Sequence, residues 1–186
     1  MSDRYPETLH CSTVARSRLF RVEAVGLRFS NGVEVEYERL GGGAAGAVLV
    51  VPVSERGEVL LIREYAAGTE RYELGLPKGR VERGEDPLQA ANRELMEEVG
   101  CGAERLTSLR SVTLAPAYFS HRTEIILAEQ LFDHRLPGDE PEPIEVVPWL
   151  LDDLERLLAE ADLTEARSIA ALYVARDYLA HRAAAD

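Results

Sequence analysis

Hydrophobic and polar residues alternate through the first forty positions, and this alternation predicts antiparallel β-structure. Every second residue is apolar from Phe20 to Ala24, again at 27 and 29, and from Val33 to Tyr37. The tripeptide Ser30-Asn31-Gly32 separates the two stretches, and Asn-Gly is a strong signal for a hairpin turn. Residues before about Cys11 show little pattern, so we expect them to be loosely held. The N-terminal region is therefore predicted to be an antiparallel β-meander.

A different pattern follows the three glycines at 41–43, which predict a flexible link. Residues Ala47 to Val53 are continuously apolar, as expected for a strand that is buried on both faces. A turn at 55–57 reverses the chain, and Val59 to Ile62 forms a returning strand. We expect these two strands to form the centre of a sheet. The chain is accordingly divided into an N-terminal extension, 1–43, and a main domain, 44–186.

The second half of the chain predicts two more strands and then two helices. The strands are expected at 105–112 and 124–129. From Trp149 to Leu158 leucines recur at helical spacing, and a second helix is expected from about Thr164 to His181. The predicted packing face of this second helix consists of Ala166, Ile169, Ala170, Tyr173 and Val174. Both helices are expected to cover the sheet.

The segment 79–101, GRVERGEDPLQAANRELMEEVGC, contains a helix with clear start and stop signals. Asp86 is suited to cap the helix, Pro87 fits its first position, and Gln89 can reach back to the capping residue. Gly100 is expected to end the helix. At 100° per residue, an apolar stripe is formed by Leu88, Ala91, Leu95 and Val99.

Three carboxylates, Glu94, Glu97 and Glu98, share an arc of roughly 100° beside this stripe. Like charges one turn apart destabilise a helix by a few tenths of a kcal/mol, so a compensating cation is expected. Carboxylates are the ligands that Mg²⁺ prefers. Arg93 lies one turn from Glu97 and is expected to orient or neutralise it. The alternative is a solvated acidic helix face.

The same segment resembles the signature of the Nudix hydrolases, G-x5-E-x7-R-E-U-x-E-E-x-G-U, in which U is a bulky apolar residue. The matching positions are Gly79, Glu85, Arg93, Glu94, Leu95, Glu97, Glu98 and Gly100, and Cys101 replaces the last apolar residue. The resemblance implies an α/β (α+β) fold, a mixed β-sheet sandwiched between helices, with a loop-helix-loop that holds Mg²⁺ or Mn²⁺. It also implies hydrolysis of a pyrophosphate linked to a nucleoside.

The strand before this signature is similar to the nucleotide-binding strand of the family. By that similarity Arg63, Tyr65 and Glu73 are expected to help bind the nucleotide, and Lys78 is expected to lie near the phosphates or the metal. Taken singly, each is more often an ordinary surface residue. The run APAYFS, 115–120, resembles the ADP-compounds hydrolases within the ADP-ribose pyrophosphatase-like branch.

Two other functions remain open from the sequence. One is a narrow pyrophosphatase for ADP-ribose or another nucleotide sugar, and the other is a non-catalytic nucleotide-sensing module. Sensors of this kind usually have broken carboxylate sets and an attached DNA-binding domain, whereas this chain has the complete set and little room for a second domain.

The proline-braced loop at 138–143 contains Glu140 and Glu142, which the resemblance aligns with a catalytic or metal-binding glutamate. A solvated turn is the alternative. We expect Glu94, Glu97, Glu98 and Glu142 to be metal ligands and Glu97 or Glu140 to act in catalysis. Glu85 and Arg93 are expected to brace the catalytic loop.

The composition limits the partners and the cellular compartment expected for this protein. The net charge of −12 disfavours a nucleic-acid surface. Two cysteines are too few for a disulfide framework, which favours a cytoplasmic protein. No apolar run is long enough to span a membrane, and the first ten residues lack a signal core. The resemblance implies that the N-terminal sheet builds a homodimer, although an extra sheet in a monomer is the alternative.

Overall fold

The computed structural model describes residues 5–41, 46–138 and 140–185. The strands are β1 Glu7–Arg16, β2 Arg21–Arg28, β3 Glu34–Gly41, β4 Ala47–Pro52, β5 Glu58–Ala66, β6 Arg71–Gly75, β7 Lys78–Arg80, β8 Cys101–Thr113, β9 Arg122–Asp133 and β10 Glu145–Leu150; the α-helices are α1 Pro87–Glu94, α2 Leu154–Leu157 and α3 Ala166–Ala183. The chain divides into two compact units, Met1–Gly46 with Thr113–Arg122, and Ala47–Val112 with Thr123–Asp186. No helix of the described ranges is long and apolar enough to cross a membrane.

The first unit contains an antiparallel sheet in the order β1-β2-β3. At its hairpin, Asn31 Oδ1 accepts a hydrogen bond from the Val33 N–H at 3.1 Å, and Gly32 has a φ of 84°, which glycine adopts without strain. The predicted hairpin is therefore confirmed. The prediction of a loosely held N-terminus is wrong for residues 7–11, because β1 pairs with β2 along its length with two register shifts, although its side chains are exposed; residues 1–4 lie outside the described residues. Of the predicted glycine link, Gly41 ends β3 and the remainder lies outside the described residues.

The second unit is organised around β4, which confirms the buried strand predicted at 47–53. β4 pairs antiparallel with β7 and parallel with β9, so its sheet is mixed. Side chains from one face of β4, such as Val50, pack with α1, and those from the other face, such as Leu49, pack with α3. The predicted sandwich of a mixed sheet between helices is thereby confirmed.

The returning strand at 58–66 does not lie beside β4. β5 is the central strand of a separate antiparallel sheet, β10-β5-β6, and only an isolated bridge between Val53 and Val59 joins the two strands. The turn at 55–57 thus passes the chain from one sheet to the other. This arrangement corrects the prediction of a single central hairpin.

The C-terminal region differs from the predicted pair of long helices. Residues 145–150, including Trp149, form β10, and a 3₁₀ turn and the short helix α2 follow. The predicted packing face of α3 was wrong for Ala166, Ala170 and Tyr173, which are exposed, whereas Ile169 is partly buried against the core as predicted. The buried residues of α3 are Ser168, Ala171, Leu172 and Ala175. Small side chains on this face allow the helix to approach the sheet closely, which a hydrophobicity pattern does not reveal.

Candidate active site

The helix of the 79–101 segment starts and stops as the sequence predicts. Asp86 Oδ1 accepts a hydrogen bond from the Leu88 N–H at 2.8 Å, and Gln89 Oε1 accepts one from the Asp86 N–H at 3.3 Å. Gly100 has a φ of 88° and ends the helix. The last turn, Leu95–Val99, is π-helical rather than α-helical, closed by the Gly100 N–H bonding to the Leu95 carbonyl at 3.1 Å. Such widened turns are frequent at functional sites.

The apolar face of this helix fixes the position of the carboxylates. Ala91, Leu95 and Val99 are buried against β4, and Cys101 is buried with them. Burial raises the pKa of the Cys101 thiol to about 11, so it packs as a neutral group. The packing role expected for Cys101 is therefore confirmed.

Glu98 is the most buried of the three carboxylates, with only 4% of the residue exposed. Its Oε2 accepts a hydrogen bond from the Lys78 N–H at 2.9 Å. Burial raises the pKa of Glu98 to about 8, the positive charge of Lys78 opposes the rise, and the charges of Glu94 and Glu64 add to it. The protein therefore supplies Glu98 with less positive charge than a buried carboxylate requires.

Glu94 lies against Gly79, the first residue of the signature. A Cβ atom at position 79 would stand 1.9 Å from the Glu94 carboxyl carbon, so only glycine leaves room for this carboxylate. Burial raises the pKa of Glu94; Arg93 opposes the rise, while Glu97 and Glu140 contribute to it. A second carboxylate is thus held in a partly desolvated, acidic environment.

Arg93 connects the loop before the helix to the carboxylates on it. Its Nη1 donates to Glu94 Oε1 at 2.8 Å and to Glu97 Oε2 at 3.0 Å. Its Nε donates to Glu85 Oε1 at 3.0 Å, and its Nη2 donates to the Arg80 carbonyl at 3.0 Å. These bonds raise the pKa of Arg93, so it stays charged. The predicted contact with Glu97 is confirmed, and Arg93 orients two carboxylates rather than one.

The donor chemistry fits a divalent cation at Glu94 and Glu98. Both are partly or fully buried carboxylates whose pKa is raised, and a hard cation would compensate their charge. In the described part of the chain, no three His, Cys, Asp or Glu side chains are arranged to hold an ion. Arg93 donates hydrogen bonds to an oxygen of Glu94 and to one of Glu97. Glu98 is left as the carboxylate bound only by a backbone N–H.

The acidic loop places its two glutamates differently. Glu140 lies close enough to Glu94 for its charge to raise the pKa of that carboxylate. Glu142 instead accepts a hydrogen bond from the Tyr72 hydroxyl at 2.5 Å. The structure therefore places the charge of Glu140 near Glu94 and bonds Glu142 to Tyr72. Tyr72 was not predicted from the sequence. Its position opposite Tyr65 depends on the pairing of β5 with β6.

Three of the four predicted substrate-binding residues, Arg63, Glu73 and Lys78, are engaged in ion pairs. Arg63 donates to Glu145 at 2.7 Å and to Asp162 at 3.0 Å. Glu73 accepts from Arg71 at 2.9 Å, and its side chain is largely buried. Arg63 and Glu73 hold neighbouring segments together in this structure.

Tyr65 is the most exposed of the four predicted residues, and Lys78 contacts two glutamates. Tyr65 is half exposed, and its ring packs edge-on against Tyr72 with 5.5 Å between the ring centroids. Lys78 Nζ pairs with Glu64 at 3.0 Å while the Lys78 backbone holds Glu98. An aromatic face and an ammonium group are thus placed on the strands that border the carboxylates.

Comparisons with known proteins agree with this geometry. The NUDIX domain matches residues 44–172, and the NudE-type Nudix hydrolase N-terminal domain matches residues 6–39. The chain is 49% identical over 174 residues to the ADP compounds hydrolase NudE of Escherichia coli (strain K12), covering 94% of this chain and 93% of that protein.

More distant similarity extends to other members. The chain is 30% identical over 129 residues to the ADP-ribose pyrophosphatase of Bacillus subtilis (strain 168), covering 68% and 70% of the two chains. A crystal structure of an ADP compounds hydrolase superimposes with a TM-score of 0.89 at 48% identity, covering 95% of each chain. On its signature, its fold and these similarities, the chain belongs to the Nudix hydrolase family.

Proposed function

We propose that this protein hydrolyses the pyrophosphate bond of ADP-linked compounds, giving AMP and the phosphorylated remainder. ADP-ribose, NADH, diadenosine polyphosphates and ADP-sugars belong to this class. The observation that carries the proposal is the pair of buried carboxylates, Glu94 and Glu98, whose charge the protein does not fully compensate. The choice of ADP compounds rests on the similarity to the E. coli enzyme over nearly the whole chain.

Nudix hydrolases generally depend on a divalent metal. In this proposal Glu94, Glu98 and Glu97 would hold Mg²⁺ or Mn²⁺. When bound, such an ion neutralises phosphate charge and lowers the pKa of a water molecule. Arg93 keeps Glu94 and Glu97 oriented, and Glu85 keeps Arg93 in place through two hydrogen bonds.

The remaining groups of the site have separate tasks in the proposal. Glu140, whose charge acts on Glu94, takes the proton of the attacking water. Tyr65 offers its half-exposed ring to the base or sugar of the nucleotide. The Lys78 ammonium lies beside the phosphates, while Arg63 and Glu73 hold the surrounding segments through their ion pairs.

We further propose that the protein is a cytoplasmic homodimer built through its first unit. Along β3, Val35 and Tyr37 are 37% and 44% exposed, and in the sheet register Tyr37 stands opposite Val25. Apolar side chains in one row of a sheet favour burial against a second copy. Size-exclusion chromatography with light scattering would measure the mass of the protein in solution. A mass of two chains is expected, and a mass of one chain would contradict the homodimer.

The function is tested by phosphate release, after phosphatase treatment, from ADP-ribose, NADH, diadenosine triphosphate, ADP-glucose and UDP-glucose with Mg²⁺. Activity on several adenine compounds and little on UDP-glucose is expected. Activity on ADP-ribose alone would favour a narrow pyrophosphatase, like the B. subtilis relative by name. Binding of adenine compounds without turnover of any would contradict the proposal and favour a sensor.

A further inference from the structure

The loop before β10 is bonded to the β10-β5-β6 sheet through the side chain of Glu142. Glu142 accepts a hydrogen bond from the hydroxyl of Tyr72 at 2.5 Å. Tyr72 belongs to β6, an edge strand of the β10-β5-β6 sheet, so the bond ties the loop to the far side of the sheet that the loop then enters. None of the roles assigned above uses Tyr72.

From this geometry we propose that Tyr72 and Glu142 form a latch that positions Glu140 toward the helix carboxylates. Tyr72 and Glu142 are then positioning residues, and Glu142 is not a metal ligand. The inference rests on the proposed role of Glu140 in hydrolysis.

The chain between the two glutamates is short and stiff, which is what allows a latch at one to place the other. Only Pro141 separates Glu140 from Glu142, and its ring fixes φ near −65°. Pro143 has its own φ fixed in the same way, so the backbone is restricted on both sides of Glu142. Two residues span at most about 7 Å, so holding the Glu142 carboxylate confines Glu140 to a small volume.

Tyr72 and the start of β10 are each held by a further contact. The Tyr72 ring packs edge-on against Tyr65, with an interplanar angle of 71°. On the other side of the loop, Glu145 pairs with Arg63 at 2.7 Å and starts β10. The segment from Glu140 to Glu145 is therefore held by Tyr72 in its middle and by Arg63 at its end.

The hydrogen bond from Tyr72 to Glu142 is made to a carboxylate, which makes it stronger than a bond between neutral groups. Tyr72 is 49% exposed, so water weakens this bond. Its loss should cost about a factor of ten in the population of the latched loop. The effect is expected on turnover, because the latch places a proton acceptor rather than a substrate contact.

The test uses Tyr72→Phe, Glu142→Ala and the double variant, with Tyr173→Phe on α3 as the matched control. Two properties are measured: hydrogen exchange of the amides of the 140–147 segment without substrate, and kcat and KM for ADP-ribose with Mg²⁺. We expect each single variant to raise exchange and lower kcat about tenfold, with KM changed less than about threefold. The double variant should be no worse than either single variant, and the control should match the wild type.

Unchanged exchange in Tyr72→Phe would overturn the latch. Losses in kcat that multiply in the double variant would also overturn it, because they would make Glu142 an independent contributor such as a metal ligand. Exchange is read without turnover, so a wild-type protein that hydrolyses no ADP compound would defeat the proposed function while leaving the latch to be decided by exchange alone.

Discussion

Two glutamates of the second unit, Glu98 and Glu129, are buried to nearly the same degree but have opposite partners. Glu129 is 8% exposed and accepts hydrogen bonds from Arg105 at 2.7 Å and from Arg182 at 2.6 and 2.9 Å. These guanidinium groups, Arg182 first, lower the pKa of Glu129. Glu98 is bonded to the Lys78 backbone, within the described residues no arginine contacts it, and burial raises its pKa to about 8.

The difference separates a structural carboxylate from a functional one. Glu129 finds its compensating charge within the fold and joins α3 to β9 through Arg182. Glu98 is desolvated without such compensation, which makes the folded protein less stable unless a cation binds. A buried carboxylate short of positive charge is a better pointer to a cation site than an acidic cluster as such.

The largest expected effect is the loss of hydrolysis in Glu98→Gln. The amide can still accept the Lys78 N–H but cannot supply a negative ligand, so kcat/KM with Mg²⁺ should fall roughly a thousandfold. The free energy of unfolding without metal should stay the same or rise, because the amide has no charge to lose on folding, whereas Glu98 must take up a proton or be buried as an anion. Steady-state hydrolysis of ADP-ribose and urea unfolding measure both. Retained activity would sink the assignment of Glu98.

Gly79→Ala should break the site without unfolding the protein. The added methyl group would displace the Glu94 carboxylate, the flexible end of a side chain, so kcat/KM should fall about a hundredfold while Tm changes by only a few degrees. Gly68→Ala is the matched control, since a Cβ there meets nothing within 4 Å. Equal activity of the two variants would show that the close approach to Glu94 is not needed.

Glu129→Gln should show the reverse of Glu98→Gln. It leaves two guanidinium groups without their carboxylate, so unfolding should become easier by about 2 kcal/mol, at the low end for a broken ion-pair network because both arginines are partly exposed. Activity well below Tm should stay within about threefold of the wild type. A large loss of activity with unchanged stability would contradict the structural role of Glu129.

The pH dependence of stability should also distinguish the two groups. Because the folded pKa of Glu98 is raised to about 8, the folded protein binds a proton that the unfolded chain has released above about pH 4.5. Stability of the metal-free protein should therefore fall as pH rises from about 5 to 8, by up to about 1.4 kcal/mol per unit.

Glu129 acts in the opposite direction and in another range. Its lowered pKa adds stability above about pH 4.5, and that stability is lost as the pH falls through the folded pKa. Unfolding measured from pH 3 to 8 should lose most of its decline above pH 5 in Glu98→Gln, with a smaller decline left by the raised pKa of Glu94, and should keep the full decline in Glu129→Gln. A decline of the same size in both variants would contradict the raised pKa of Glu98.

Features with local signals could be predicted from the sequence. The Asn31-Gly32 hairpin, the buried strand at 47–53 and the helix bounded by Asp86 and Gly100 all depend on residues close together in the chain. The carboxylate positions followed from helical spacing in the same way. These elements contain their own turn, cap or periodicity signals.

Features set by distant partners could not. β1 has no burial pattern of its own and is a strand because β2 pairs with it. The end of β10, Trp149 and Leu150, was predicted to start a leucine-rich helix. The pairing of β10 with β5 makes this segment a strand. In the site, the reach of Arg93 to Glu94 and the bond from Tyr72 to Glu142 join residues whose rotamers no sequence pattern specifies.

The most direct test asks whether Glu98 is a cation ligand whose negative charge the fold leaves uncompensated. It measures Mn²⁺ binding by calorimetry at pH 7. The experiment compares the wild type with Glu98→Gln in two buffers of different ionisation enthalpy. The account predicts that the wild type binds Mn²⁺ and releases close to one proton, because a carboxyl with a pKa of about 8 is mostly protonated at pH 7 until the ion binds. Glu98→Gln should bind at least about tenfold more weakly and release none. Equal affinity and equal proton release in the two proteins would contradict the account.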